Sequence, residues 1–158
     1  MRKGAYKAHG FSASVFTNAE RCGIIEKNKC AKAQGGRMAI AIITGASSGI
    51  GKCFAEHIQK TGEVDGYLLI ARRRGKLEEL AATLGEGAEV LEADLGTTAG
   101  VEAVRAWLEE HRPSVRYLIN AAGFGIFGDY TEVSEAETVG MIDLNVKALV
   151  LITHMVIP

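Results

Sequence analysis

From Met38 onward the chain alternates between two hydrophobic rhythms. The run MAIAIIT (38–44) is apolar at nearly every position and rich in isoleucine, the pattern of a strand buried on both faces. Ile50, Phe54, Ala55 and Ile58 then recur at helical spacing within GIGKCFAEHIQKTG (49–62). The pair repeats. YLLIA (67–71) reads as a second buried strand, and RGKLEELAATLG (74–85) as a helix with Leu77, Leu80 and Leu84 on one face. AEVLEAD (88–94) predicts a third strand. TTAGVEAVRAWLEEH (97–111) predicts a third helix, facing inward through Val101, Val104 and Leu108 and capped by Thr97 or Thr98. VRYLINAAG (115–123) is the fourth strand, and the chain from about residue 134 is helical. This alternation predicts an α/β fold, a doubly wound parallel sheet with helices on both faces and about four strands.

The first 37 residues lack any such rhythm. They carry Arg2, Lys3, Lys7, Arg21, Lys27, Lys29, Lys32 and Arg37 against Glu20 and Glu26, a net of +6. The other ten basic and seventeen acidic residues leave the rest at −7. That contrast separates a basic extension, 1–37, from a folded part, 38–158. No apolar run of secretory type occurs in the extension. Its basic, acid-poor character is shared by transit-like leaders and by nucleic-acid-binding arms. A poorly ordered tail ahead of a protein that begins at Met38 accounts for it most simply.

Composition changes the picture little. Net charge is −1, so no nucleic-acid partner is expected. Cys22, Cys30 and Cys53 form no C-x-x-C pair, which supports neither a metal site nor a redox pair and suits a reducing cytoplasm. Cys53 reads as a small core residue. His57, His111 and His154 lie on separate segments without metal-ligand spacing, and Trp107 reads as a core or boundary residue.

The chemistry concentrates in TGASSGIG, Thr44 to Gly51, directly after the first strand and opening the first helix. Gly45, Gly49 and Gly51 remove side chains where the backbone must turn sharply and approach a ligand. The helix start offers free N–H groups and a positive dipole end to a pyrophosphate, and Ser47 and Ser48 add hydroxyls. The spacing is G-x-x-x-G-x-G rather than G-x-G-x-x-G. Taken alone, the loop could equally be an ordinary helix-entry turn.

With Asp94–Leu95 after the third strand, NAAG at Asn120–Gly123 and Asn145-x-x-Ala148, the loop resembles the short-chain dehydrogenase/reductase family, classical type. The likeness covers residues 38–158, as the amino-terminal portion of a Rossmann-type domain. It implies that Gly45, Ser47, Gly49, Ile50 and Gly51 line a dinucleotide's pyrophosphate and ribose. By the same resemblance Asp94 accepts from the adenine amino group, with the Leu95 backbone beside it. Asn120, Ala121 and Gly123 would pass the adenosine ribose toward the nicotinamide half. Plainer roles stay open for Asp94 as a turn carboxylate and Asn120 as a turn amide.

The choice of cofactor can be argued from charge. An acidic group at the carboxyl end of the second strand accepts from a ribose 2′-hydroxyl, whereas arginine there favours a 2′-phosphate. Asp65 precedes that strand and sits at its wrong end; the carboxyl end carries Arg72, Arg73 and Arg74. NADP(H) is therefore expected over NAD, with Arg72 the first 2′-phosphate partner and Arg73 next. The basic residue that some NADP-preferring members carry in the glycine loop would fall at Ser48 here.

The resemblance also implies a tyrosine acid/base, a lysine that lowers its pKa, a serine that orients substrate, and an asparagine. Asn145 matches the asparagine. No tyrosine of the chain is followed by lysine at the fourth position. The apolar run NVKALVLITHMVIP (145–158) ends in mid-pattern, so the chain is read as the cofactor half of a longer oxidoreductase, inactive alone. Its substrate would be a small carbonyl compound or alcohol. The competing reading is a non-catalytic dinucleotide-binding module that acts as a sensor or partner subunit. The terminal run is expected to be too short and too interrupted to span a membrane, and to pack in the subunit interface of a full-length homo-oligomer. FGIFGDY (124–130) either borders the substrate or packs as a loop.

Overall fold

The computed structural model describes residues 38–157, so the expectations for residues 1–37, including their cysteines, lie outside the described residues. Four strands and their connecting helices follow in the predicted alternation. β1 (Ala39–Thr44), α1 (Gly49–Thr61), β2 (Gly66–Ala71), α2 (Arg74–Leu84), β3 (Ala88–Glu92), α3 (Thr98–His111) and β4 (Ser114–Asn120) come first. α4 (Glu135–Ile142), a π-helical segment (Asp143–Ala148) and α5 (Leu149–Val156) close the described part.

The sheet is parallel, in the order β3-β2-β1-β4. β1 lies between β2 and β4, with Thr44 opposite Ile70 on one side and Asn120 on the other. The strand order therefore reverses beside the carboxyl end of β1, the place where open α/β sheets form a crevice.

Pleating explains the apolar runs. Ile40 and Ile42 of β1 and Leu68 and Ile70 of β2 face a core shared with α3 (Val101, Val104) and α5 (Ile152). Ala41, Ile43, Tyr67 and Leu69 face the other core, with Ala55 and Ile58 of α1 and Leu77, Leu80 and Leu84 of α2. Alternate residues are buried on opposite faces, so these strands are apolar except for Thr44 at the end of β1, whose hydroxyl is hydrogen-bonded.

Several expectations need correction. β4 ends at Asn120 rather than at 123. The next two amides, of Ala121 and Ala122, donate to the Thr44 hydroxyl at 3.1 Å each and leave the ladder. β3 ends at Glu92 rather than 94, because Asp94 opens a turn, its Oδ1 accepting from Gly96 N at 3.0 Å. Cys53 is exposed, not core. It stands two residues from both Gly51 and Ala55 on the buried face, hence about 200° around the helix from each. The cap of α3 is Thr97, whose side chain accepts from Gly100 N.

The helix expected from about residue 134 begins at Glu135, and its full length overturns the expectation that the terminal run is too short to span a membrane. Ser134 and Glu137 form a reciprocal capping box that starts α4 well ahead of Asn145. Helix Glu135–Val156 is continuous over 22 residues, about 33 Å, and is long and apolar enough to cross a membrane by length and composition. One of its faces is engaged with the sheet: Ala148 and Ile152 are buried in the α3-side core.

Candidate functional site

Where β1 hands over to α1, the backbone is set by two glycines. Gly45 has φ +66°, and a Cβ there would meet the Ala121 carbonyl oxygen at 2.6 Å. A Cβ on Gly51 would lie 2.6 Å from the Gly45 oxygen. The loop is thus folded onto itself and onto the end of β4, leaving its outer side open. Ala46 N donates to Ile70 O, which ties the loop to β2 as well.

The start of α1 is uncommitted. Ser48 occupies its N-cap position, yet its side chain makes no capping hydrogen bond, and the first turn carries no acidic residue. The helix dipole and the free N–H groups of a 13-residue helix therefore face outward without an internal anion to satisfy them.

Around this opening lies a cleft of about 440 Å³. Gly45, Ser47, Ser48, Gly49 and Ile50 form one wall, and Arg72 and Arg73 stand at the end of β2. Asp94 and Leu95 follow β3, and Ala121 and Gly123 follow β4. Ala122 and Leu144 also line it and escaped the sequence reading, as did Ile70, Ala71 and Ala93. None of these carries a polar side chain, and only Ala122, within NAAG, belongs to a motif. Ile50, counted on the apolar face of α1, is turned outward into the cleft.

Three expected site residues stand elsewhere. Gly51 packs behind the loop. Asn120 turns its Nδ2 to Thr153 Oγ1 of α5 at 3.0 Å, and its Oδ1 is buried without a partner. Asn145, in the π-helical segment, braces the chain after β4. Its Oδ1 accepts from Phe124 N at 3.1 Å, and its Nδ2 donates to Phe124 O at 2.8 Å. Thr44 opens the glycine motif, but its role is not legible in the sequence. Almost fully buried, it holds the first two amides after β4 and so fixes Ala121 and Ala122 at the cleft rim.

The titratable side chains lining the cleft are Arg72, Arg73 and Asp94. Arg73 crosses to the glycine loop, its Nη2 donating to Ser48 Oγ at 2.8 Å and Ser47 Oγ at 3.0 Å. Arg74, by contrast, pairs with Glu78 along α2 at 2.7 Å. Asp65 sits at the amino end of the sheet, where its Oδ2 accepts from Ala39 N. Of the tyrosines whose side chains are described, neither lines the cleft. Tyr117 donates to Glu63, and burial pushes the Tyr67 phenol up, the wrong direction for a base near neutral pH. Among the described residues no group of three His, Cys, Asp or Glu could hold a metal ion.

Comparison with known proteins decides the family. The short chain dehydrogenase family profile matches residues 39–158. The chain belongs to that family. An uncharacterised oxidoreductase of Staphylococcus epidermidis is 27% identical over 119 residues, covering 75% of this chain and 51% of that protein. The NADP-dependent 3-hydroxy acid dehydrogenase YdfG of Shigella flexneri is 30% identical, covering 75% of this chain and 48% of its own. Among solved structures, a short-chain dehydrogenase from Sphingobium yanoikuyae in complex with NADPH is 35% identical, with a TM-score of 0.68 over 75% of this chain and 47% of its own. The chain thus spans about half the length of the family members it matches. The parallel four-stranded sheet with flanking helices is the Rossmann-like arrangement of these members.

Proposed function

We propose that the cleft binds NADP(H) and that the chain supplies the cofactor half of a short-chain oxidoreductase. One observation carries this reading: two arginines, Arg72 and Arg73, stand at the carboxyl end of β2 beside an uncapped helix start. A 2′-phosphate and a pyrophosphate are both anionic, and both meet donors there. The glycine loop leaves room for the same group, since Gly45 and Gly51 let it pack tightly on the protein's own backbone and nothing lies within 4 Å of a Cβ added at Gly49. The names of two family members point the same way, one NADP-dependent and one in complex with NADPH.

In this reading Gly45, Ser47, Ser48, Gly49 and Ile50 hold the pyrophosphate and ribose, with Gly51 supporting the turn. Asp94 and Leu95 receive the adenine. Ala121 and Gly123 border the path toward the nicotinamide, and Asn120 holds that segment from behind. When bound, the nicotinamide would supply a hydride acceptor or donor for a small carbonyl compound or alcohol. Asn145 is assigned to the catalytic side, where its amide fixes the Phe124 backbone next to Gly123.

The alternative is a dinucleotide-binding module without catalysis, and in either reading the 158 residues given contain no Tyr-x-x-x-Lys. The chain is accordingly expected to bind NADPH without oxidising it in the presence of ketones or aldehydes. Isothermal titration with both dinucleotides tests the cofactor assignment, and tighter binding of NADH would sink it. Steady consumption of NADPH by the purified chain with any carbonyl substrate would sink the expectation of inactivity.

A homo-oligomeric full-length protein in the cytoplasm completes the proposal. The exposed Val146, Leu149 and Val150 on the last helix support the first part, and the free, exposed thiol of Cys53 suits a reducing compartment. Sedimentation of the full-length protein and fractionation of cells test the two parts.

A further inference from the structure

We infer that Glu89, Trp107 and His111 form a pH-responsive latch between the last turn of α3 and the edge strand β3, closed when the imidazole is charged. None of the three lines the cleft, and the latch stands whether or not the cleft takes NADP(H). β3 pairs with β2 alone among the described strands. Leu91, two residues after Glu89 and so on the same face of β3, packs in the core with Val101 and Val104 of α3. Glu89 thereby meets the far end of that helix. The Trp107 and His111 rings stack with centroids 4.2 Å apart and planes 9° from parallel. Trp107 Nε1 donates to Glu89 Oε2 at 3.1 Å, and His111 Nε2 stands 3.9 Å from the same oxygen. His111 Nδ1 lies 2.9 Å from the Trp107 carbonyl oxygen.

A carbonyl oxygen can only accept, so Nδ1 carries the proton of the neutral ring and Nε2 is left with a lone pair. In that state two electron-rich atoms, Nε2 and Glu89 Oε2, confront each other. A second proton on Nε2 turns the approach into a charge-assisted pair and leaves the Trp107 bond to Oε2 in place. The charged ring then lies on an indole face and at the carboxyl end of a 14-residue helix, both of which suit a cation. The side chains of His111 and Glu89 are 37% and 56% exposed, so both exchange protons with solvent. On α3 itself Arg105 pairs with Glu102, and Arg112 turns its Nε to the Glu109 carbonyl, with Glu109 and Glu110 the remaining charged neighbours in that turn. β3 adds Glu92, three residues beyond Glu89, and α5, also packed on α3, carries His154 as its one titratable side chain.

Trp107 is the chain's single tryptophan, so intrinsic emission reports on this place. The full chain is titrated between about pH 5 and 8, the interval in which imidazoles change charge. Emission is expected to fall on acidification in one step, because an imidazolium stacked on indole accepts its excited electron better than the neutral ring does. Over the same interval the amide-exchange protection factors in the last turn of α3 should rise by roughly two- to fivefold, the size expected of an exposed ion pair. His111→Phe keeps a stacked ring without a titratable charge and should lose both responses. Glu89→Gln, whose amide oxygen can still accept from Trp107, should keep the emission step and lose most of the rise in protection. Circular dichroism confirms that each variant remains folded. Constant emission across the interval, a step that survives His111→Phe, or an undiminished rise in protection in Glu89→Gln would overturn the latch.

Discussion

The two sides of the sheet's centre share a composition but not a fate. β1 and β2 are apolar strands sealed on both faces, with Ile42, Ile43, Leu68, Leu69 and Ile70 fully buried. β4 is just as apolar in its second half, yet it is only half-buried along its length. The helix that packs nearby keeps Ala148 and Ile152 inside and leaves Val150 55% exposed. What differs is the number of layers that each element meets. β1 has a strand on either side and a helix layer on either face, whereas β4 pairs with β1 alone. The cleft draws on both regions. Its glycine loop stands on the sealed side, and its Ala121–Gly123 rim is pinned to that side by the Thr44 hydroxyl.

The largest expected effects probe the contrast directly. Leu69→Ala or Ile42→Ala should cost about 2–5 kcal/mol in urea unfolding, since each empties a fully buried site. Val150→Ala should cost no more than about 0.5 kcal/mol. Similar costs at the two places would show that the apolar helix is buried in solution. Gly45→Ala comes next. It forces an L residue to φ +66° with its Cβ 2.6 Å from a backbone oxygen, so a loss of about 1–3 kcal/mol is expected together with nucleotide binding. Gly75→Ala, in the first turn of α2 with open space around it, should instead stabilise by roughly 0.4–1 kcal/mol. Melting temperatures separate the two glycines.

A smaller effect concerns the brace on the open side. Asn145→Ala removes both hydrogen bonds to the Phe124 peptide groups and should cost about 1–2 kcal/mol. The change should appear as faster hydrogen exchange at the Phe124 amide, while exchange in β1 and β2 stays slow. If β1 exchanged faster as well, the two regions would be one cooperative unit.

The smallest effect depends on pH. Hydrogen bonds from the Ser134 hydroxyl and amide hold the Glu137 carboxyl below its ordinary pKa. A carboxylate whose folded pKa is depressed adds stability above its unfolded pKa, and that stability disappears as pH falls through the folded one. The start of α4 should therefore fray in the acid range below the usual glutamate pKa, where the box loses its charge. Glu137→Gln, which leaves no carboxylate to titrate, should abolish that acid dependence of amide exchange in α4. An acid dependence that persisted in the variant would assign it to another group.

Much of this architecture could be read from the chain. The bounds of β1, α1, β2 and α2 follow from local periodicity to within a residue, because a pleat or a helical turn repeats over two to four positions. The glycine loop announces itself through the residue type that a tight, close-packed turn requires. Side-chain direction at longer range could not be read in this way. Nothing local says that Thr44 will receive two amides 77 and 78 residues further on, or that Asn120 will turn to Thr153 rather than into the cleft. Cys53 looked like core because its residue type is usually buried; the phase of α1 placed it outside. The sequence also supplied three consecutive arginines without distinguishing them. Only the approach of the β2 end to the glycine loop sends Arg73 to the serines and Arg74 back along its helix. Periodicity is a property of neighbours along the chain. The partner of a polar atom is settled only when distant segments close on one another, and the functional cleft is made almost wholly of such closures.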